Sequence, residues 1–327
     1  MSKTSVDVFL NECQLEIDYS ITDTDLDTLT LSLTNKAIKR VKSLLKDFGF
    51  IDDIRAGANF VTIEDQEYRD IGIAVVVGDT SSFTGIANDK LKVTIDSTDY
   101  DDIDISASTS IADLVTAINA ATSGTEASET TDGYLQITST TSGSTSNVTV
   151  ADGTNTGQTV VGDIFDAEAR RTSTGIDDLD KIITLTERVN DRRIPLFSWD
   201  VFRGFYTDPT ASSSQVPDAA TQHRNRIYFG PRPSQSILIY MDYYKLFADV
   251  AAGGTMPFED KYDILLAAMV KLDLIRFLDN TNAIAIADYK QEIKGLTHDL
   301  ITAASRPYSR QASSRREESP YIRPRAR

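Results

Sequence analysis

Few residues in this chain are of the types that do chemistry. Among 327 residues there is one cysteine, Cys13, and there are two histidines, His223 and His298, far apart in sequence. A zinc site needs several Cys, His or carboxylate ligands at short spacings, and a thiol nucleophile needs a histidine beside it. Neither arrangement can be assembled from these residues. Cys13 reads as a small core residue. His298, among charged neighbours on a helix, reads as solvated. The acid run Asp96, Asp99, Asp101, Asp102 and Asp104 is the one group that could attract calcium. It lacks the glycine and the closing glutamate of an EF-hand loop, so a solvated loop is the better reading. Gly230-Pro231-Arg232-Pro233 has no Gly-Lys-Ser/Thr and is a turn, not a phosphate loop. Carboxylates are plentiful, but no pair is singled out for acid–base work. The expectation is a chain with no catalytic residue, no cofactor and no metal. Trp199 and the phenylalanines around it read as core, or as a subunit contact.

Charge is the stronger signal. The net charge is −16, which repels nucleic acid. It is unevenly spread. Residues 82–165 carry two lysines against twelve acids, a net of −10, whereas residues 306–327 carry seven arginines against Glu317 and Glu318, a net of +5. A basic tail on an acidic body suits docking on an acidic partner. The tail residues Arg306, Tyr308, Arg310, Arg315, Arg316, Tyr321, Ile322, Arg323, Arg325 and Arg327 combine guanidinium forks with apolar anchors, and the prolines favour an extended arm. That composition fits a groove between protein subunits better than nucleic acid or an idle tail. No apolar run reaches the ~18 residues of a membrane helix. The first residues lack a signal-peptide apolar region, and the single cysteine suits synthesis in a reducing cytoplasm.

These residues must be held by elements that the pattern predicts. Helices are expected over Thr4–Glu16, with Ser5 as cap, and over Asp25–Phe48. One strand is expected over Ala58–Ile63 and the following Gln66–Arg69, and a second over Ile71–Val77. From Gly78 to Val161 the composition shifts to Thr, Ser, Asp and Gly. Leu91–Ile95 and Ile103–Ile105 alternate, Ser110 caps a helix with Ile111, Leu114, Val115 and Ile118 on one face, and further strands follow at Gly133–Thr138 and Val148–Val150. Asp178–Arg188 reads as a strand and Phe197–Phe205 as a short helix. Thr207–Thr221 reads as a loop. Arg226–Phe229 and Ser236–Tyr244 read as the two strands of a buried hairpin. Thr255-Met-Pro-Phe-Glu-Asp260 should start a buried helix running to Leu278. A last helix over Asn282–Ala304 carries the seam Ile286, Tyr289, Ile293, Leu296 and Leu300, with Pro307 as its stop.

Two resemblances enter on these residues. The N-terminal helix pair, Phe197-x-Trp199, Ile227-Tyr-Phe-Gly-Pro-x-Pro233, Pro257 and Asp263 opening a buried helix, and Ala285-Ile-Ala-Asp-Tyr289 together resemble the head-to-tail adaptor (connector) proteins of tailed double-stranded DNA bacteriophages. This covers roughly residues 1–75 and 165–327. Asp104 to Asn119, Gly124 to Ser128 and Asp132 to Ser139 are similar to the flagellin hook IN motif, found as an inserted β-rich domain in flagellar and phage virion proteins. The first resemblance implies a structural virion protein made in the host cytoplasm. It would form a homo-oligomeric, twelve-fold ring that joins the portal protein to the tail nozzle and the tail fibres or spikes. It would line the channel for genomic DNA, with the C-terminal arm gripping the portal. The expected fold is α+β: a helical adaptor core with a β-hairpin and an extended C-terminal arm, interrupted by a small β-rich inserted domain. Its divisions are 1–77 and 166–305 for the core, 78–165 for the insertion and 306–327 for the arm. The alternative is a flagellar-hook-like or adhesin-type surface structural protein with the β-rich module as its working part.

Overall fold

The computed structural model describes residues 4–14, 23–47, 54–84, 89–154, 160–165, 168–208, 211–258, 260–278 and 281–317. In chain order the helices are α1 (Val6–Gln14), α2 (Asp23–Asp47), α3 (Ile111–Thr122), α4 (Val160–Ile164), α5 (Trp199–Phe205), α6 (Asp263–Leu278) and α7 (Ala283–Glu317). The strands are β1 (Arg55–Val61), β2 (Tyr68–Asp70), β3 (Val75–Val77), β4 (Lys90–Ile95), β5 (Thr98–Asp104), β6 (Ala127–Glu129), β7 (Leu135–Thr138), β8 (Asn147–Asp152), β9 (Thr172–Thr174), β10 (Leu179–Glu187), β11 (Arg192–Ile194), β12 (Ser213–Ser214), β13 (Ala219–His223), β14 (Arg226–Gly230), β15 (Arg232–Pro233) and β16 (Leu238–Lys245). The protein is therefore mixed α and β. It divides into two compact units, residues 1–54 with 247–327, and residues 55–246.

The first unit is helical. α1 buries Val6, Phe9, Leu10 and Cys13, and α6 buries Leu265, Leu266, Met269, Val270, Leu272 and Leu274. An apolar helix of this kind is stable only when covered on more than one side, and α1, α2 and α7 all pack on α6. Thr30 and Thr34 on α2 are fully buried, yet each hydroxyl is satisfied by the carbonyl one turn back, at 2.7 and 2.8 Å. The Asn35 amide exchanges two hydrogen bonds with Val250, at 3.1 and 2.7 Å. Arg40 bonds Asp273 of α6 at 2.7 Å.

The second unit is built from sheets. β1-β16-β10-β11 form one, β13-β14-β2 another, β3-β7-β6 a third and β5-β4-β8-β9 a fourth, with a short β12–β15 pair. Alternation decides which side chains are buried: Leu91, Val93 and Ile95 of β4 and Val148 and Val150 of β8 point to one core. That core also takes Ile111, Leu114 and Ile118 of α3, and it reaches back to Ala74 and Val76 and forward to Phe165. A second core lies under β1, β16 and β10 and includes Ile227 and Phe229. Val61, Val75, Val77 and Leu238 join the two regions. Arg69 stands at this join, 2% exposed, and is held by the carbonyls of Val61, Asp70 and Ile73. Burial lowers its guanidinium to about 10.

Four sequence expectations are corrected. Arg226–Phe229 and Ser236–Tyr244 are not a hairpin, because β14 pairs β13 and β2 while β16 pairs β1 and β10. The segment between them turns through a cis Gly230–Pro231 peptide and β15 into a different sheet. The stretch read as a loop to Thr221 contains the start of β13, whose Ala219, Ala220 and Thr221 are buried. α6 begins at Asp263, not near Pro257; Thr255 instead bridges Ser5, and the Met256 N–H donates to the Thr4 carbonyl at 2.9 Å. Finally, α7 runs through Pro307 to Glu317, so residues 306–317 are helical and not an extended arm. Proline's fixed φ is compatible with a helix, and its cost is one lost hydrogen bond plus local crowding.

Candidate functional site

The site is built on one face of the β13-β14-β2 sheet. Alternation turns Ile227 and Phe229 of β14 and Arg69 of β2 inward, and leaves Arg226, Tyr228, Tyr68 and Asp70 on the other face. Register then sets neighbours: Tyr228 lies opposite Tyr68, Arg226 opposite Asp70, and His223 opposite Arg226. Their rings and charges meet accordingly. Tyr68 and Tyr228 are 5.6 Å apart, and the Arg226 guanidinium sits 4.4 Å from the Tyr68 ring centre. Arg226 also pairs with Asp70 at 3.6 Å. Its hydrogen bond with Tyr228, helped by the nearby Asp70, holds the guanidinium above its ordinary range.

Helix α5 closes the face. The backbone before it is bound to β13: the Ala220 N–H donates to Pro195 at 2.9 Å and the Phe197 N–H to Ala220 at 3.0 Å. Phe202 anchors the helix in the core. Trp199 at its start therefore reaches the end of β13. Its ring stacks on His223 at 4.3 Å and meets the edge of Tyr228 at 4.9 Å. Arg203, one turn on, lies 5.1 Å from the Trp199 ring centre. The hairpin tip adds Arg224, in the left-handed conformation at φ 56°, and Asn225. These residues, with Glu67, line a cleft of about 640 Å³. It is lined with arginines and aromatic rings in an otherwise acidic chain. The helix expected at Phe197–Phe205 forms, but of its aromatic cluster only Phe202 is buried, and Phe205 is 72% exposed.

The other sequence candidates are placed as follows. The acid run is spread over the β4–β5 hairpin, and each carboxylate is used locally. Asp96 accepts from Ser139 Oγ at 2.5 Å and from the N–H groups of Thr140, Thr141 and Asn147 at 3.2 Å each. Burial works to raise its carboxyl, and these donors outweigh it and hold it below its usual range. Asp99 and Asp101 both bond Lys92 at 2.9 Å, Asp102 accepts from Thr154, and Asp104 accepts from Ser106. Among the described residues no three His, Cys, Asp or Glu side chains gather as a metal site would require. Cys13 is buried, and His298 is exposed on α7. Of the basic tail, Arg306, Tyr308, Arg310, Arg315 and Arg316 fall on the last turns of α7, their side chains outside the described residues. Tyr321, Ile322, Arg323, Arg325 and Arg327 lie outside the described residues altogether. No helix of the described residues is long and apolar enough to cross a membrane.

The flagellin hook IN motif matches residues 90–141, from the start of β4 to just past β7. No curated protein matches the chain. Among solved structures, the D1-D2-D3 domains of the flagellar cap protein FliD from Escherichia coli align over 79% of this chain and 72% of that one, at 15% identity and a TM-score of 0.22. A TM-score that low assigns no common fold. The phage head-to-tail adaptor reading is overturned, and with it the portal, tail-nozzle and fibre partners, the DNA channel and the virion location. The recognisable segment is of flagellin hook type. The connector resemblance rested on an order of elements that the structure breaks, at the supposed hairpin, at the start of α6 and at the C-terminal arm.

Proposed function

We propose that this chain is a structural protein of a flagellar-type or adhesin-type surface assembly, located outside the cell, and that residues 78–165 are its displayed β-rich module. The observation that carries this reading is the hook IN match over residues 90–141. It falls on one continuous apolar core formed by β4, β5, α3, β7 and β8. The module's net charge of −11 favours solubility and discourages self-association of an exposed part. Its partners are other subunits of that assembly. The basic segment 306–327, at +5, is the part suited to dock on an acidic one. The hook motif belongs to structural proteins, which supports a non-enzymatic role. Antibody raised against the module is expected to label surface appendages of intact producing cells in electron micrographs. Label found only in the cytosol or on capsid-like particles would overturn the reading.

A further inference from the structure

We propose that the cleft between α5 and the β13–β14 hairpin binds a sugar acid, a saccharide whose ring carries a carboxylate. The inference stands on the cleft alone, independently of the assembly to which the chain belongs. Two guanidinium groups here lie against aromatic rings, Arg203 at Trp199 and Arg226 at Tyr68, 5.1 and 4.4 Å from the ring centres. A guanidinium held over a ring in this way can still offer N–H groups to an oxyanion, and part of its freedom is already lost before binding. Arg226 is balanced by Asp70. Arg203 and Arg224 form no ion pair among the described residues, and the only other charged acid of the lining is Glu67. The cleft is thus one positive charge in excess, which matches a monoanion.

The remaining lining selects for hydroxyl groups. Glu67 and Asp70 are acceptors, and Asn225 is both donor and acceptor. Beside a bare phosphate the two carboxylates would repel the added charge, whereas they accept from the hydroxyls of a sugar ring. The volume of about 640 Å³ lies within the usual range for small-ligand sites.

The test uses a built-in reporter. Trp199 is the only tryptophan in the chain, so tryptophan emission, excited beyond the tyrosine absorption band, reports on this cleft. The full chain is titrated with galacturonate, with sialyllactose, with neutral galactose and with inorganic phosphate, and calorimetry provides a second readout. A saturable change with either acidic sugar is expected, at least about tenfold tighter than with the neutral sugar or phosphate. Arg203→Gln and Arg224→Gln should each weaken it by about tenfold or more, with the circular dichroism unchanged, while Arg193→Gln on β11 should leave it as it was. Four results would overturn the proposal: no saturable signal with either acid, phosphate binding as tightly as the sugar acids, affinity unmoved by both arginine variants, or emission that shifts only with protein concentration. The last would identify the cleft as a contact between copies of the chain.

Discussion

Asp96 does more for the β-rich module than any other acid of its run. With Ser97 it forms the two-residue turn between β4 and β5, both residues at positive φ, 51° and 68°. Paired left-handed residues match the twist of a hairpin, and aspartate tolerates that conformation better than most residues. Its carboxylate also ends a buried relay. The Ala74 N–H donates to Ser146 Oγ at 2.8 Å, Ser146 to Ser139 Oγ at 2.7 Å, and Ser139 to Asp96. Because the folded-state pKa is held below the ordinary aspartate range, its contribution is present above that range and is lost as pH falls through the folded pKa. Asp96→Asn is expected to cost about 1–3 kcal/mol at neutral pH. The deficit against the parent should shrink in strong acid. Denaturant melts at the two pH values measure both, and a deficit that is constant with pH would show that the charge is not what matters.

At the scale of elements, α3 is the clearest case of local sequence deciding structure. Ser110 accepts from the Asp113 N–H at 3.2 Å, and Asp113 in turn accepts from the Thr109 N–H at 2.9 Å, a reciprocal cap. Asn119, a turn from the other end, bonds both the N–H and the carbonyl of Ala127 at 2.9 Å and so ties α3 to β6. Ser110→Ala should cost about 1 kcal/mol, read as a lower denaturation midpoint. No change would mean that Asp113 caps alone. This helix was legible from its first turn to its apolar face, as were α1, α2, β10 and the alternating β4. The failures share a cause: pairing between distant strands. Residues 226–229 and 236–244 have the pattern of two strands but carry no mark of which neighbours they take. β13 was hidden because Ala219-Ala-Thr-Gln-His223 is small and polar, and it is buried by its partners more than by its own composition. The cleft depends on that register, so Trp199 was visible in the sequence while its meeting with His223 and Tyr228 was not. The alternation of Tyr68 and Asp70, set beside that of Arg226 and Tyr228, was the one available clue.

For the molecule as a whole, the decisive feature is how residues 55–246 are closed off. β1 and β16 are antiparallel, with Arg55 opposite Tyr244, and Arg55 also pairs with Asp242. Asp242 further accepts from Thr184 at 2.9 Å and Tyr240 at 3.0 Å, so β1, β10 and β16 share one carboxylate. The chain thus enters and leaves this unit at one end of one strand pair. A fragment of residues 55–246 is expected to fold alone, with a cooperative melt and dispersed amide resonances. A fragment that is collapsed but without a cooperative transition would show that the helical unit is needed to complete it.

The same pairing fixes how the unit responds to tension. A pull on residues 55 and 246 acts at the paired ends of β1 and β16 and across their hydrogen bonds. It therefore opens them one after another, as a zip opens, instead of shearing them all together. β1 lies at the edge of its sheet and peels first. Under load along the chain, residues 55–246 behave as a soft, extensible loop rather than as a rigid link.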